Sequence, residues 1–178
     1  CILKCECFFI NGKIAVNVGK TYNSTIFGIY GGGNQDDINT VTPEVKVYLL
    51  PNANVTNAFN GGKAADLISA GENDTSRAIY LQGGTVQNIY GGSDSSGTVT
   101  VSNVYIESGN TTNVYGGNNQ GGITQTTNVT INGGIVQDVY GGGNQAVTNV
   151  TNVYIYGNVS KNVFGGGNQA GINTNTNV

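Results

Sequence analysis

From residue 79 onward the chain alternates aliphatic and other side chains in short bursts at a fixed interval. Ile79-Tyr80-Leu81, Val104-Tyr105-Ile106, Val129-Thr130-Ile131 and Val153-Tyr154-Ile155 all read aliphatic, other, aliphatic. That is the period of two of a strand with one buried face. The pattern predicts Val and Ile inward, with Tyr80, Tyr105, Thr130 and Tyr154 outward. Two residues further on, the outward side continues at Gln82, Glu107, Asn132 and Tyr156. Small residues such as Gly83-Gly84 and Gly133-Gly134 then mark a turn. A second strand runs into an aromatic residue, as from Val86 to Tyr90, and two glycines bend the chain after it. A third extended stretch, Val99-Thr100-Val101 and its counterparts, leads back to the first strand.

These bursts belong to an internal repeat. Ile29-Tyr30-Gly31-Gly32-Gly33-Asn34-Gln35 returns as Val114 to Gln120, Val139 to Gln145 and Val163 to Gln169, with weaker copies at Ala58 to Gly62 and Ile89 to Asp94. The aromatic positions are 30, 59, 90, 115, 140 and 164, so the unit is about 25 residues with insertions in the two early copies. Each unit exposes hydrogen-bonding edges that only the next unit can satisfy. The repeat therefore predicts an all-β fold: a single-stranded parallel β-helix (β-solenoid) of about six coils, with roughly 25 residues per coil. Leucine-rich repeats have a similar period but need Leu and a helix, and a propeller blade needs roughly 40 residues. Residues 1–25 read as an N-terminal cap or lead-in segment and 26–178 as solenoid repeats. The ending Thr176-Asn177-Val178 matches Thr151-Asn152-Val153, so the chain is expected to stop in mid-coil, as a piece of a longer array or a subunit completed by a neighbour.

Stacked coils turn each repeat position into a column. The residue two before the aromatic reads Asn57, Asn88, Asn113, Asp138, Asn162. The residue before the first-strand Val reads Asn103, Asn128, Asn152, Asn177, and the residue four after the aromatic reads Asn34, Lys63, Asp94, Asn119, Asn144, Asn168. Stacked amides can bond from coil to coil, so these columns are expected to be scaffold. The aromatic column is expected to be a packing stack. Its direction depends on the strand before it. A regular strand turns Phe164 inward and Ile89, Val114, Val139 and Val163 outward as an aliphatic stripe, whereas a bend reverses this.

Composition narrows the chemistry. The chain has no His, Met or Trp, 29 Gly, 27 Asn and only 5 Leu among 178 residues. Without His, imidazole acid/base catalysis, Ser-His and Cys-His pairs and His-containing metal sites are excluded. Seven basic residues cannot build a phosphate-binding stripe, which argues against nucleic acid as a partner. After Ser108 the only charged residues are Asp138 and Lys161. An uncharged β-rich surface points to attachment, including to copies of itself.

The repeat seen best at Gly133 to Gln145 resembles the glycine- and asparagine-rich β-solenoid repeats of large bacterial surface (adhesin-like) proteins. The resemblance covers residues 79–178 well and 14–78 loosely. It implies an exported structural or adhesive segment at the cell surface or outside the cell, and it brings no catalytic residues with it.

The remaining candidate features are few. Outward Tyr80, Tyr105, Tyr154 and Tyr156 could form an interaction surface that stacks on sugar rings, so a carbohydrate-binding or polysaccharide-degrading β-helix is the alternative reading. Its acidic site would be Asp36, Asp37 and Asp94, in or near the early insertions that also hold Glu44, Asp66, Glu72, Asp74 and the lone Arg77. Solvated loop charges are the plainer expectation for these residues. The run after Gly31 breaks the spacing of calcium-binding nonapeptides, and no Lys-Ser/Thr and helix follow it as in a phosphate loop. Thr98/Thr100, Thr124/Thr126 and Thr174/Thr176 suggest an ice-binding grid, but their offsets from the first strand differ. Cys1, Cys5 and Cys7 could cross-link subunits of a fibre. The first ten residues are too short for a membrane span, and no cofactor is implied.

Overall fold

The alternation does produce strands, and the repeats stack them in parallel. The computed structural model describes residues 6–10, 13–19, 24–35 and 44–178. Within these lie β1 (Glu6–Ile10), β2 (Lys13–Val18), β3 (Ser24–Tyr30), β4 (Glu44–Leu49), β5 (Ala53–Phe59), β6 (Arg77–Tyr90), β7 (Thr98–Tyr115), β8 (Ile123–Ile131), β9 (Ile135–Tyr140), β10 (Val147–Ile155), β11 (Val159–Phe164) and β12 (Ile172–Asn177). The described residues contain no helix. The chain is a β-solenoid of about six turns with roughly 25 residues per turn.

Two faces carry the coils. On the first, the order is β2-β4-β6-β7-β8-β10-β12, all parallel, with β1 antiparallel on β2. On the second, β3, β5, β6, β7, β9 and β11 follow one another in parallel. β6 and β7 serve both faces because they run through the corner that Gly83-Gly84 was expected to break. The corner sits inside the strand instead, with φ of 148° and 73° at Gly83 and Gly84 and 88° at Gly109. At Gly84 and Gly109 the backbone enters the left-handed region that favours glycine.

The first-face alternation holds in three of the four bursts, while in the last Val153 is buried and Ile155 is exposed. Ile79, Leu81, Val104, Ile106, Val129 and Ile131 are buried, and the intervening Tyr80, Tyr105 and Thr130 are only partly so. Each fully buried Val or Ile contributes roughly 1.5–3 kcal/mol relative to exposure. The second face departs from the regular-strand expectation. Val86 and Ile89 are both buried although three residues apart. The ladder skips Gln87, pairing Val86 with Thr111 and then Asn88 with Asn113. This bend sends Ile89, Val114 and Val139 into the aliphatic core, so no exposed stripe forms from them. It puts the aromatic column into a separate cluster.

Three predicted amide columns are bonded coil to coil. Asn88 Nδ2 donates to Asn57 Oδ1 (2.9 Å) and Asn113 to Asn88 (2.8 Å). Asn128 donates to Asn103 (3.0 Å), Asn152 to Asn128 (3.0 Å) and Asn177 to Asn152 (2.8 Å). Asn119 donates to Asp94 (2.7 Å), Asn144 to Asn119 (2.8 Å) and Asn168 to Asn144 (2.9 Å). Two further polar devices emerge only in the fold. The hydroxyls of Ser102, Thr127 and Thr151 donate to the carbonyls of Gly116, Gly141 and Gly165, the latter two at 2.6 Å. Asn118 is fully buried, accepting from Ser93 N (2.8 Å) and donating to Gly97 O (2.9 Å) and Gly121 O (3.0 Å).

A Cβ at Gly116 would stand 2.0 Å from Gly141 O, so the glycine rows let successive coils approach at this corner. Thr127→Val keeps the side-chain shape but strips the donor from the buried Gly141 carbonyl. It should cost about 1–3 kcal/mol of unfolding free energy, whereas Thr130→Val on the outward side should change it by under about 0.5 kcal/mol. Denaturant titration of both variants measures the contrast.

Candidate functional site

Outward positions on the first face bring tyrosines into one row. β4, β6 and β7 align Tyr48, Tyr80 and Tyr105 in register. Their rings stack at 5.0 Å and 4.9 Å, with interplanar angles of 10° and 13°. Thr130 takes the next place and Tyr154 the one after it. Tyr154 is 46 % exposed, and Tyr156, just past β10, is 75 % exposed. The row thus brings Tyr80 and Tyr105 together and separates Tyr154 by one coil. Tyr48 was missed. Its signal was Val47-Tyr48-Leu49, an aliphatic-other-aliphatic burst whose Val stands one residue further from its aromatic than in later coils.

The row sits in a mild electrostatic setting. Burial pushes the Tyr80 hydroxyl up, against the opposing pull of Lys46. Lys46 bonds and ion-pairs with Glu44, which raises the ammonium above its ordinary value. Beside the row, Gln82 Nε2 donates to Glu107 Oε2 at 2.8 Å.

The second aromatic column is complete. Tyr30, Phe59, Tyr90, Tyr115, Tyr140 and Phe164 stack at 4.6–5.0 Å within 14° of parallel. Burial, then nearby carboxylates or neighbouring tyrosines, raises the hydroxyls of Tyr30, Tyr90, Tyr115 and Tyr140. For Tyr30 the carboxylate is Asp94, whose Oδ2 accepts from its hydroxyl at 3.3 Å.

Of the three acidic candidates only Asp94 lies among the described residues. Asp36 and Asp37 lie outside them, as do Cys1 and Cys5. Cys7 lies in β1, in register with Val16. Asp94 is a rung of an amide column, accepting from Asn119 Nδ2 (2.7 Å) and Gln120 Nε2 (3.3 Å). Asp74 braces an exposed loop, accepting from the backbone N–H of Ala70 (2.9 Å) and of Ser76 (2.7 Å). Partial burial would raise its carboxyl, but hydrogen bonds from Ser76 and Ala70 and the charge of Arg77 hold it below the ordinary value.

Arg77 corrects the expectation of solvated loop charges. It starts β6 and is fully buried. Its register partner Val45 is an inward residue too, as is Ser102, which directly precedes Asn103, the partner of Ala78. Nε and Nη2 donate to Ile68 O at 3.1 and 2.8 Å, and Nη1 to Ser76 Oγ at 2.9 Å. Burial lowers its pKa while Asp74 and Glu44 oppose that. Among the described residues no group of three or more acids or cysteines is placed to hold a metal ion.

The ice-binding grid does not form either. Thr124 and Thr126 are buried and align with Val99 and Val101. No helix of the described residues is long and apolar enough to cross a membrane.

The raised tyrosines dictate an alkaline limit. In the folded chain they stay protonated above the ordinary value of 10.0, while the unfolded chain ionises there. Their contribution to stability is complete below pH 10 and is lost as pH rises through the folded values. Melting temperature should therefore fall from about pH 10 upward. The double variant Tyr90→Phe/Tyr115→Phe should flatten that fall, since Phe already occupies the column at positions 59 and 164. Thermal melts between pH 8 and 11.5 test it.

Comparison of the chain with protein-family models, with curated proteins and with solved structures finds no match. The arrangement of its own side chains is what a functional reading has to rest on.

Proposed function

We propose that the chain is a non-catalytic structural and adhesive module of a bacterial extracellular fibre or surface protein, one that extends, displays and self-associates. One observation carries this reading. The amides that recur along three columns are spent on bonds from coil to coil, and a hydroxyl row bonds across the interior within a coil. Groups used in this way build a rod and are not left to act on a substrate. The nearly charge-free stretch after Ser108 supports it, because a neutral, hydrogen-bonding β surface favours lateral contact between copies. Export is the setting that the resemblance to surface-protein repeats implies.

Carbohydrate binding is the second reading, favoured by the half-open tyrosine row of Tyr48, Tyr80 and Tyr105. Degradation of a polysaccharide fits less well, since Asp94 is engaged as a ladder rung.

Sedimentation and negative-stain microscopy across a concentration series should show elongated particles that associate as concentration rises. Hydrolase and lyase screens should be blank. Monomers alone at every concentration would remove self-association from the reading, and turnover of any polysaccharide would remove its non-catalytic part.

A further inference from the structure

The outer tyrosine row has a missing rung. Its register runs Tyr48, Tyr80, Tyr105, Thr130, Tyr154. Occupied steps space the rings by 4.9–5.0 Å. Tyr105 and Tyr154 are two strand spacings apart, about 9.6 Å at the Cα level. One face of Tyr105 is covered by Tyr80 at 4.9 Å. On its other side the row offers only a threonine, whose flanking Val129 and Ile131 point into the core. The second aromatic column has no such break: it stacks in every coil, with a Phe where a Tyr is lacking.

We propose that the gap above Thr130, between Tyr105 and Tyr154, is a binding slot for one pyranose ring of a neutral glycan. A ring placed midway lies about 4.8 Å from each wall, close to the spacing the tyrosines already keep with one another. A pyranose has C–H faces for the two aromatic walls and hydroxyls around its edge. Polar partners stand where that edge would lie. Thr130 is the floor, and the exposed Glu107 and Asn132 follow two residues beyond Tyr105 and Thr130 on the same side of the strands. Glu107 is already fixed by Gln82 at 2.8 Å. Its carboxylate, the one charge in this rim, selects against acidic sugars. Tyr156, 75 % exposed, extends the site beyond Tyr154. A few convergent polar groups beside apolar walls are what a sugar site needs. Tyr80, by contrast, has both ring faces covered by Tyr48 and Tyr105, and it can offer a ligand only its edge.

The slot deepens the adhesive part of the proposed function and rests on that reading for its purpose, while the rod itself stands or falls separately. The decisive variant is Thr130→Tyr. It breaks no side-chain hydrogen bond, completes the row and fills the slot. The probe is an array of immobilised neutral pyranose oligosaccharides. The natural chain should bind at least one of them. Thr130→Tyr and Tyr154→Ala should each weaken that binding by about tenfold or more, and Lys161→Gln, exposed on β11 of the second face, should not change it. Melting curves on the same samples should show Thr130→Tyr at least as stable as the natural chain, which separates loss of the slot from loss of fold. A blank array for the natural chain, or unchanged binding by Thr130→Tyr, overturns the proposal. So does a blank array together with a self-association that Thr130→Tyr abolishes, because the slot then takes a ring from a second copy. Elongation in the sedimentation series reports on the rod independently of all these outcomes.

Discussion

Parallel stacking of one coil on the next, at a single strand spacing, is the constraint on which the rest of the protein depends. Main-chain bonds between coils set the rise, and every side chain must then tolerate a like neighbour directly above and below it. Aliphatic residues tolerate this by packing, tyrosines and phenylalanines by offset stacking, and amides because each can donate to one neighbour and accept from the other. Charges tolerate it poorly, since like charges one spacing apart repel. The near absence of charge after Ser108 follows from the geometry. Where an acid does enter a column, as at Asp94 or Asp138, amides donate to it: Asn119 to Asp94 and Asn162 to Asp138, at 2.7 and 2.8 Å.

The same constraint explains what could be read from the chain. A repeat that stacks must report its own spacing, so the coil length, the three amide columns and the inward Val/Ile of the first face were legible. The bend at Gln87 was not, because no Gly or Pro marks it and equivalent residues at other coils are ordinary strand formers. Arg77 was misread because a lone cation near an insertion usually faces water. Its place one before the Ala78-Ile79 start of the alternation puts it in the column of Ser102 and Thr127, which points inward. Asn118 escaped notice for the opposite reason. Four of the six residues at its repeat position are glycine, namely Gly33, Gly62, Gly143 and Gly167, so an isolated amide looked like drift. In the fold it fills a pocket of backbone carbonyls and N–H groups.

Of the candidate site, the tyrosine row was partly visible. Tyr80 and Tyr105 could be aligned from sequence, but a row is defined by register, and one extra residue between Tyr48 and Phe59 hid its first member. The break at Thr130 could be seen as a substitution. Its meaning as a gap needed the ring spacing on either side.

The solenoid also separates where its length is fixed from where it is free. Both long connections, after β3 and after β5, run from the corner that follows the aromatic to the first face, and after β5 the chain still pairs with the next coil at Ala64–Ser96 and Leu67–Val99 before its extra residues begin. On either side of them β4 and β6 pair in unbroken register. Chain added after Leu67 therefore changes neither rise nor register. The rod can carry loops of unrelated length and composition along one side, as a rail carries fittings, without renegotiating the core.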